Sequence, residues 1–275
     1  MVVCAGEGED MVLKISKTEE YILTGNVGKG LFRGVVGLWI RSVGFGLLLV
    51  FNPIIAGENK NMVLKISKTE DFSVTGDGTS SMWTKADALA LPLRKGKDRG
   101  LRTDLKMLYS DLGLYFLFRC EDEKLTASMP SDFMDLWNED VAEVFLWPDQ
   151  SHPMYFEYEI SPLDHELVLL VPNLDGDFLG WLPWHYEGER LTRHATSVQG
   201  GPKKSGSSIH GWIAEFFIPF ALLKPLQNVP PRSGTKWRCN FYRCDYDSGD
   251  QAYWSWQPVE KRFHEYEKFG VVEFK

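Results

Sequence analysis

The chain has 275 residues and a formal net charge of −8, with 44% hydrophobic and 25% charged residues. These proportions are typical of globular proteins, and the length suffices for one large domain or two small ones. The acidic balance disfavours a nucleic-acid partner, because binding to phosphates requires a basic surface.

A repeated segment stands near the start of the chain. MVLKISKTEEYILTG occupies residues 11–25, and MVLKISKTEDFSVTG occupies residues 62–76. Only the second copy runs directly into a long region of short strand patterns, and one sandwich has one position for such a strand. We therefore predict that the second copy pairs in the sheet of a domain formed by residues 62–275. Residues 1–61 are predicted to form a poorly ordered leader.

The segment between the two copies, residues 31–57, is the most apolar in the chain. Ser42 to Gly57 carry no charge, and Arg33 and Arg41 precede them. This run is shorter than the roughly 20 residues that span a bilayer as a helix. A basic flank, an apolar run and small residues are typical of a secretory signal. The pattern predicts an exported protein: extracellular, periplasmic or at the cell surface. Membrane attachment through residues 31–57 and a leader foreign to the mature protein are the alternatives.

After the second copy, short runs with period-two alternation are separated by turn residues. Residues 103–109 and 114–122 flank a glycine-containing loop, which predicts a hairpin. Residues 141–147 and 154–161 flank PDQSHP and predict another. Further strand patterns continue to the end of the chain. The predicted fold is all-β, an antiparallel β-sandwich of two sheets, immunoglobulin-like or jelly-roll-like, with short helical turns.

The cysteines show no CxxC pair, which argues against a zinc knuckle or a thioredoxin-type site. Cys239 and Cys244 have odd spacing on one predicted strand, so they point to opposite faces and do not pair locally. Buried free thiols are the first interpretation, and a disulfide from Cys120 to one of these two is the alternative.

Two charged residues lie on aromatic strand faces. Glu143, in VAEVFLW, shares its face with large apolar side chains, so its carboxylate must be paired or bound to a ligand. An ion pair with Arg119 or Arg243 would satisfy it. Arg243, in TKWRCNFYRCDY, is a candidate bidentate donor to a carboxylate or to sugar hydroxyls. A structural ion pair is the alternative for this arginine.

Trp137 lies in the polar stretch DLWNED, outside any obvious core period. An aromatic ring beside convergent polar groups suits a sugar, although a tryptophan that covers the sheet edge would also explain it. The six histidines show no metal-ligand spacing, and His264, in RFHEYEKFG, is the one that we single out. The chain contains no GxSxG, HExxH, P-loop or GxGxxG motif.

Six stretches together resemble the family 9 carbohydrate-binding modules and their DOMON-like relatives. They are LYFLFRCED, LWNEDVAEVFLWPD, YFEYEISP, GWIAEFFIP, NFYRCD and FHEYEKFG, and the resemblance covers about residues 83–275. It implies a two-sheet β-sandwich that binds an oligo- or polysaccharide without catalysis. Modules of this family commonly form part of secreted enzymes that degrade polysaccharides.

In that family a sugar is held between two aromatic rings. Trp137 matches the first ring, and Glu143 matches the glutamate that hydrogen-bonds sugar hydroxyls. Phe263 stands at the second ring, where xylanase-attached members have tryptophan; its ring can stack but offers less surface. Glu159 stands where those members carry a ligand-binding arginine.

The strand that supplies a further polar contact in the family carries Tyr242 and Arg243. The resemblance also implies structural calcium, whose ligands the sequence does not identify. The competing hypotheses are a haem-binding DOMON-type module and a glycoside-active enzyme that uses Glu143 with a second carboxylate such as Glu159. Met107, Met129 and Met154 are the candidate haem ligands. The particular sugar and the oligomeric state are left open.

Overall fold

The computed structural model describes residues 3–4, 11–15, 19–23, 63–174, 177–224, 226–249 and 251–275. The chain divides into two units, Met1–Lys60 and Asn61–Lys275. In the first unit the described strands are β1 (Val3–Cys4), β2 (Met11–Ile15) and β3 (Glu19–Leu23). They form an antiparallel sheet in the order β1-β2-β3. The predicted signal or anchor segment, residues 31–57, lies outside the described residues.

The second unit is built almost entirely from strands. They are β4 (Leu64–Lys68), β5 (Leu89–Ala90), β6 (Leu93–Lys95), β7 (Thr103–Tyr109), β8 (Gly113–Glu121), β9 (Val141–Trp147), β10 (Met154–Ile160), β11 (Glu166–Leu174), β12 (Asp177–Phe178), β13 (Leu182–Pro183), β14 (Arg193–Gln199), β15 (Gly211–Pro219), β16 (Lys236–Asp245), β17 (Ala252–Ser255) and β18 (Gly270–Phe274). The helical elements within the described ranges are 3₁₀ turns at Ser81–Lys85, Leu136–Asn138, Gly188–Arg190 and Tyr266–Lys268. Among the described residues, no helix is long and apolar enough to cross a membrane.

The strands of the second unit form two layers. The first sheet has the order β11-β10-β9-β16-β18, with β12 and β13 along β11, and β17 and β6 beyond β16. The second sheet has the order β4-β7-β8-β15-β14, with β5 beside β7. The predicted all-β sandwich is confirmed, and so are the hairpins β7–β8 and β9–β10. The pairing is not wholly antiparallel, because β4 runs parallel to both β18 and β7.

Aromatic side chains from both sheets fill the space between the layers. Tyr158 of β10 stacks on Phe216 of β15, with ring centroids 4.6 Å apart. Phe116 of β8 contacts Phe241 of β16 at 6.3 Å. These rings are fully buried, and burying one such side chain contributes about 1.5–3 kcal/mol. The period-two alternation therefore points one face of each strand into this core.

The outer face of the first sheet is also covered. A second buried apolar cluster lies there and includes Phe145, Tyr155 and Tyr242, packed beneath Tyr266 and Phe269 of the C-terminal segment. The first sheet is thus buried on both faces, and its outer face meets loops rather than a third sheet. This arrangement positions the candidate site.

The second copy of the repeat enters the large sheet through β4. Residues 64–66 of β4 pair with β18, and Ser67 and Lys68 of β4 pair with β7. This strand therefore joins the two sheets at one edge. In the first copy, Met11–Ile15 form β2 and Glu19–Leu23 form β3 of the first unit. The boundary near residue 62 and the leader stay predictions.

Cys120, Cys239 and Cys244 are buried free thiols, which agrees with the first interpretation of the sequence. These three residues form no disulfide. Burial in apolar surroundings raises the pKa of the Cys120 thiol to about 12.

Candidate functional site

A cleft of about 580 Å³ opens on the outer face of the first sheet. Aromatic side chains from strands and loops line it: Trp137, Phe145, Trp181, Tyr246, Tyr253 and Phe263. Its floor carries three carboxyl groups, from Glu143, Glu157 and Glu159. Ligand sites commonly combine apolar walls with a few convergent polar groups, so this cleft is the candidate binding site.

Strand geometry brings the three floor carboxyls together. Glu159 of β10 is the direct cross-strand partner of Glu143 of β9. Glu157 lies two residues before Glu159 on the same strand and therefore on the same face. The three side chains are 1%, 3% and 0% exposed for Glu143, Glu157 and Glu159 respectively. Their carboxyl groups thus share one largely desolvated region.

Burial disfavours the ionised form of each floor carboxyl. It raises the pKa of Glu157 to about 8. It raises the pKa values of Glu143 and Glu159 well above the ordinary range, and repulsion among the three adds to the effect. In the described part of the chain, no lysine or arginine lies within ion-pair distance of them. His264 Nδ1 lies 3.8 Å from Glu157, but burial lowers the pKa of this histidine to about 4, so it stays neutral.

The first wall of the cleft is formed by two tryptophans. Trp137 lies in the 3₁₀ turn Leu136–Asn138, and its carbonyl accepts a hydrogen bond from the Tyr246 hydroxyl at 2.6 Å. Trp181 meets it edge to face, with ring centroids 5.2 Å apart, and is 43% exposed. The pair offers an aromatic surface at the cleft mouth.

Phe263 also lines the cleft and is held by Tyr242. The two rings stack at 4.1 Å and are nearly parallel, and the Tyr242 hydroxyl donates to the Phe263 carbonyl at 2.8 Å. Tyr242 itself is fully buried beneath this ring. It supports the aromatic wall without lining the cleft.

His264 lines the cleft next to Phe263. Its ring stacks on Phe178 at 4.1 Å, and its Nδ1 is 2.6 Å from the Tyr155 hydroxyl. These contacts fix the ring in the wall.

Arg243 is not brought into the cleft. It lies on the inner face of β16, where its Nη2 contacts Asp122 at 2.8 Å and Asp245 at 3.0 Å. Its guanidinium also lies 4.4 Å from the ring centroid of Trp254. The structural ion pair accounts for this arginine, and it forms no ion pair with Glu143. Arg119, the other suggested partner, donates instead to the Gly78 carbonyl.

Three aspartates near Arg243 are close enough to share a cation. One carboxylate oxygen from each of Asp122, Asp245 and Asp247 lies within 4.8 Å of the others. Arg99 already contacts Asp245 at 2.7 Å and Asp247 at 3.1 Å, and Arg243 contacts the remaining aspartate. Two guanidinium groups therefore supply the positive charge, and this cluster does not fit a resident calcium ion.

Sequence reasoning identified Trp137, Glu143, Glu159, Phe263 and His264, and all five line the cleft. It did not single out Glu157, the third floor carboxylate, or Trp181, the second tryptophan. Period-two alternation could have identified Glu157, because it places this residue on the same strand face as Glu159. Trp181 lies between two very short strands, and no local pattern indicates its position.

Known proteins resemble this chain in sequence and in fold. The family model described as "Carbohydrate family 9 binding domain-like" matches residues 74–167. The resemblance to family 9 carbohydrate-binding modules is confirmed. The family 9 match includes Trp137 and the three floor glutamates, whereas Phe263 lies beyond it.

Solved family 9 and related structures share the sandwich. A candidate carbohydrate-binding protein from Bacteroides uniformis is 17% identical with a TM-score of 0.62, covering 78% of this chain and 99% of that chain. A family 9 module from Caldicellulosiruptor kristjanssonii, solved with cellotriose, is 13% identical with a TM-score of 0.54, covering 78% and 94%. At these identities the likeness shows the fold.

A curated relative is the "Extracellular protein" of Arthroderma benhamiae. It is 26% identical over 182 residues, which cover 63% of this chain and 78% of the relative.

Proposed function

We propose that this chain is a non-catalytic carbohydrate-binding module. It holds a sugar ring of an oligo- or polysaccharide between Trp137 and Phe263, with hydrogen bonds from Glu143 and neighbouring polar groups. The observation that carries this proposal is that both rings and the glutamate line one cleft on the outer face of the first sheet. Aromatic rings stack on the C–H faces of a sugar, while carboxyl groups bond to its hydroxyls.

The wider setting of this binding is part of the proposal. The Arthroderma relative is described as extracellular, and solved family 9 modules were crystallised with cellotriose and with glucose. We infer that this protein is exported and serves polysaccharide degradation beside a separate catalytic protein. Attachment to a membrane through residues 31–57 stays a prediction from the sequence.

Titration calorimetry tests this function. The protein is titrated with neutral, acidic and amine-bearing oligosaccharides, including cellotriose. We expect at least one class to bind, Trp137→Ala and Phe263→Ala to weaken that binding, and Trp137→Phe to retain more of it because a ring remains. Absence of binding by every saccharide class would refute the proposal.

Catalysis is tested on the same samples. A glycosidase built on Glu143 would turn over aryl glycosides and lose that turnover in Glu143→Gln. We expect no turnover by the wild-type protein. Turnover that depends on Glu143 would replace the binding function with the enzymatic one.

A further inference from the structure

The floor of the cleft contains carboxyl groups without donors. Among the described residues, no amide, hydroxyl or basic side chain donates a hydrogen bond to either oxygen of Glu159 or to Oε2 of Glu157. The two carboxyl groups can share a hydrogen bond with each other when one of them is protonated. Both side chains are more than nine-tenths buried and line the cleft. A buried polar group in a native protein normally has a partner, so one that faces a cleft points to a ligand that supplies it.

Other buried acidic residues that the structure describes have hydrogen-bond or ion-pair partners, and in this respect the floor glutamates differ from them. Glu215 of β15 accepts from the Thr75 and Gly76 amides and from the Trp83 indole. Asp122 is paired with the guanidinium of Arg243. The chain therefore satisfies its buried carboxylates elsewhere, and at the cleft floor it does not.

The basic residues of the cleft form no ion pairs with the floor carboxyl groups. Lys95, Lys261 and Arg262 line the cleft, but none lies within ion-pair distance of a floor glutamate. The guanidinium of Arg262 instead lies over Phe178, 5.3 Å from the ring centroid. A ligand that brings a positive charge to the floor would offset the repulsion among the carboxylates.

The walls suit a cation as well. Trp137, Trp181 and Tyr253 surround the approach to the floor, and the faces of such rings attract ammonium groups. An acidic sugar would bring a further negative charge to a site where burial already disfavours ionised carboxyl groups. A neutral sugar would leave the floor without a charged partner.

We propose that this cleft selects sugars that carry a protonated amine, the 2-amino-2-deoxyhexose class, with the ammonium group held by Glu159 and Glu157. This inference rests on the proposed saccharide-binding function and names the chemical class of its ligand. The aromatic walls stack on the sugar ring, and the amine reaches the floor.

Three trisaccharides that differ only at carbon 2 test the proposal. They are cellotriose, the β-1,4-linked glucosamine trimer and its N-acetylated form, titrated calorimetrically into the full chain at about pH 7. We expect the amine-bearing trimer to bind at least about tenfold more tightly than the other two, because a charge-assisted bond replaces a neutral one.

Glu159→Gln and Glu157→Gln keep the side-chain shape and remove the charge. We expect each to remove most of this preference, so that the amine-bearing trimer binds within about threefold of cellotriose in the same variant. Glu187→Gln is the matched control: Glu187 is exposed and does not line the cleft, so this variant should keep the preference. Thermal unfolding confirms that each variant is folded.

The outcomes separate the two proposals. Equal binding of all three trimers overturns the amine preference and leaves the saccharide-binding function intact. A preference that persists in both floor variants, or that Glu187→Gln also removes, refutes the role of the floor carboxylates. If no saccharide binds at all, both the proposed function and this inference are refuted.

Discussion

The stability of the fold should fall as the pH rises, and Glu157→Gln should reduce that fall. Burial raises the pKa of Glu157 in the folded chain from an ordinary value of 4.5 to about 8. Between these values the folded state holds a proton that the unfolded state releases. The unfolded state therefore binds fewer protons, and the free energy of unfolding decreases with pH. The stabilisation is fully present below about pH 4.5 and is lost as the pH rises through about 8.

The size of this change in the free energy of unfolding follows from the difference between the ordinary and the raised pKa of Glu157. A shift of one pKa unit corresponds to about 1.4 kcal/mol, so the interval from 4.5 to about 8 corresponds to on the order of 5 kcal/mol. Glutamine at position 157 cannot ionise and has nearly the same shape. The variant should match the wild type near pH 5 and become more stable than it toward pH 8.

Urea unfolding followed by tryptophan fluorescence, at several values from about pH 5 to about pH 8.5, measures this difference. Asp122, whose pKa is raised to about 7, contributes a slope of the same sign to both proteins, so only the difference between them reports on Glu157. Glu187→Gln, which changes an exposed carboxylate outside the cleft, should run parallel to the wild type. If the difference between wild type and Glu157→Gln does not change with pH, the assigned proton is not on this residue.

Three further substitutions test the cleft wall and two buried charge networks. Trp137→Ala should weaken saccharide binding about 3- to 10-fold in calorimetry through the lost ring contact, and unchanged affinity would contradict its stacking role. Glu215→Ala removes the acceptor of four hydrogen bonds and should lower the urea unfolding free energy by about 3 kcal/mol. Arg243→Met leaves the buried Asp122 without its guanidinium partner, removes one of the two partners of Asp245, and should cost about 3–5 kcal/mol in the same assay. Arg102→Met, which breaks an exposed pair with Glu121, is its control and should leave stability nearly unchanged.

Local patterns were sufficient to predict the architecture, and the resemblance to family 9 modules supplied most of the predicted cleft residues. The alternation of VAEVFLW and MYFEYEIS determines which side chains share a face, and a short polar loop between the strands makes them neighbours. Glu143 and Glu159 could therefore be assigned to neighbouring strand faces before their pairing was known. The register that makes Glu143 and Glu159 direct cross-strand partners depends on the loop geometry, which the amino-acid sequence does not specify.

The position of Arg243 shows where such reasoning stops. Both faces of the first sheet are buried, so an arginine among aromatic residues fits either face equally well by pattern. Only the packing of β16 against the second sheet decides that Arg243 points inward, to Asp122 at 2.8 Å. Trp181 is a similar case, because the loop that carries it reaches Trp137 through tertiary contacts alone.

The proton on the cleft floor links stability to ligand choice. In the free fold, desolvation by burial is the main cause of the raised pKa values of Glu143, Glu157 and Glu159, and repulsion from neighbouring carboxylates adds to it for Glu143 and Glu159. An ammonium group at the same place stabilises the ionised carboxylates, lowers their pKa values and displaces that proton. Because binding of the ammonium group releases protons from the floor, the affinity for an amine-bearing sugar, and with it the stabilisation that the sugar adds, should increase from about pH 5 toward about pH 8, as long as the amine stays charged. A neutral sugar would leave the floor protonated, and the stabilisation it adds would show no such increase.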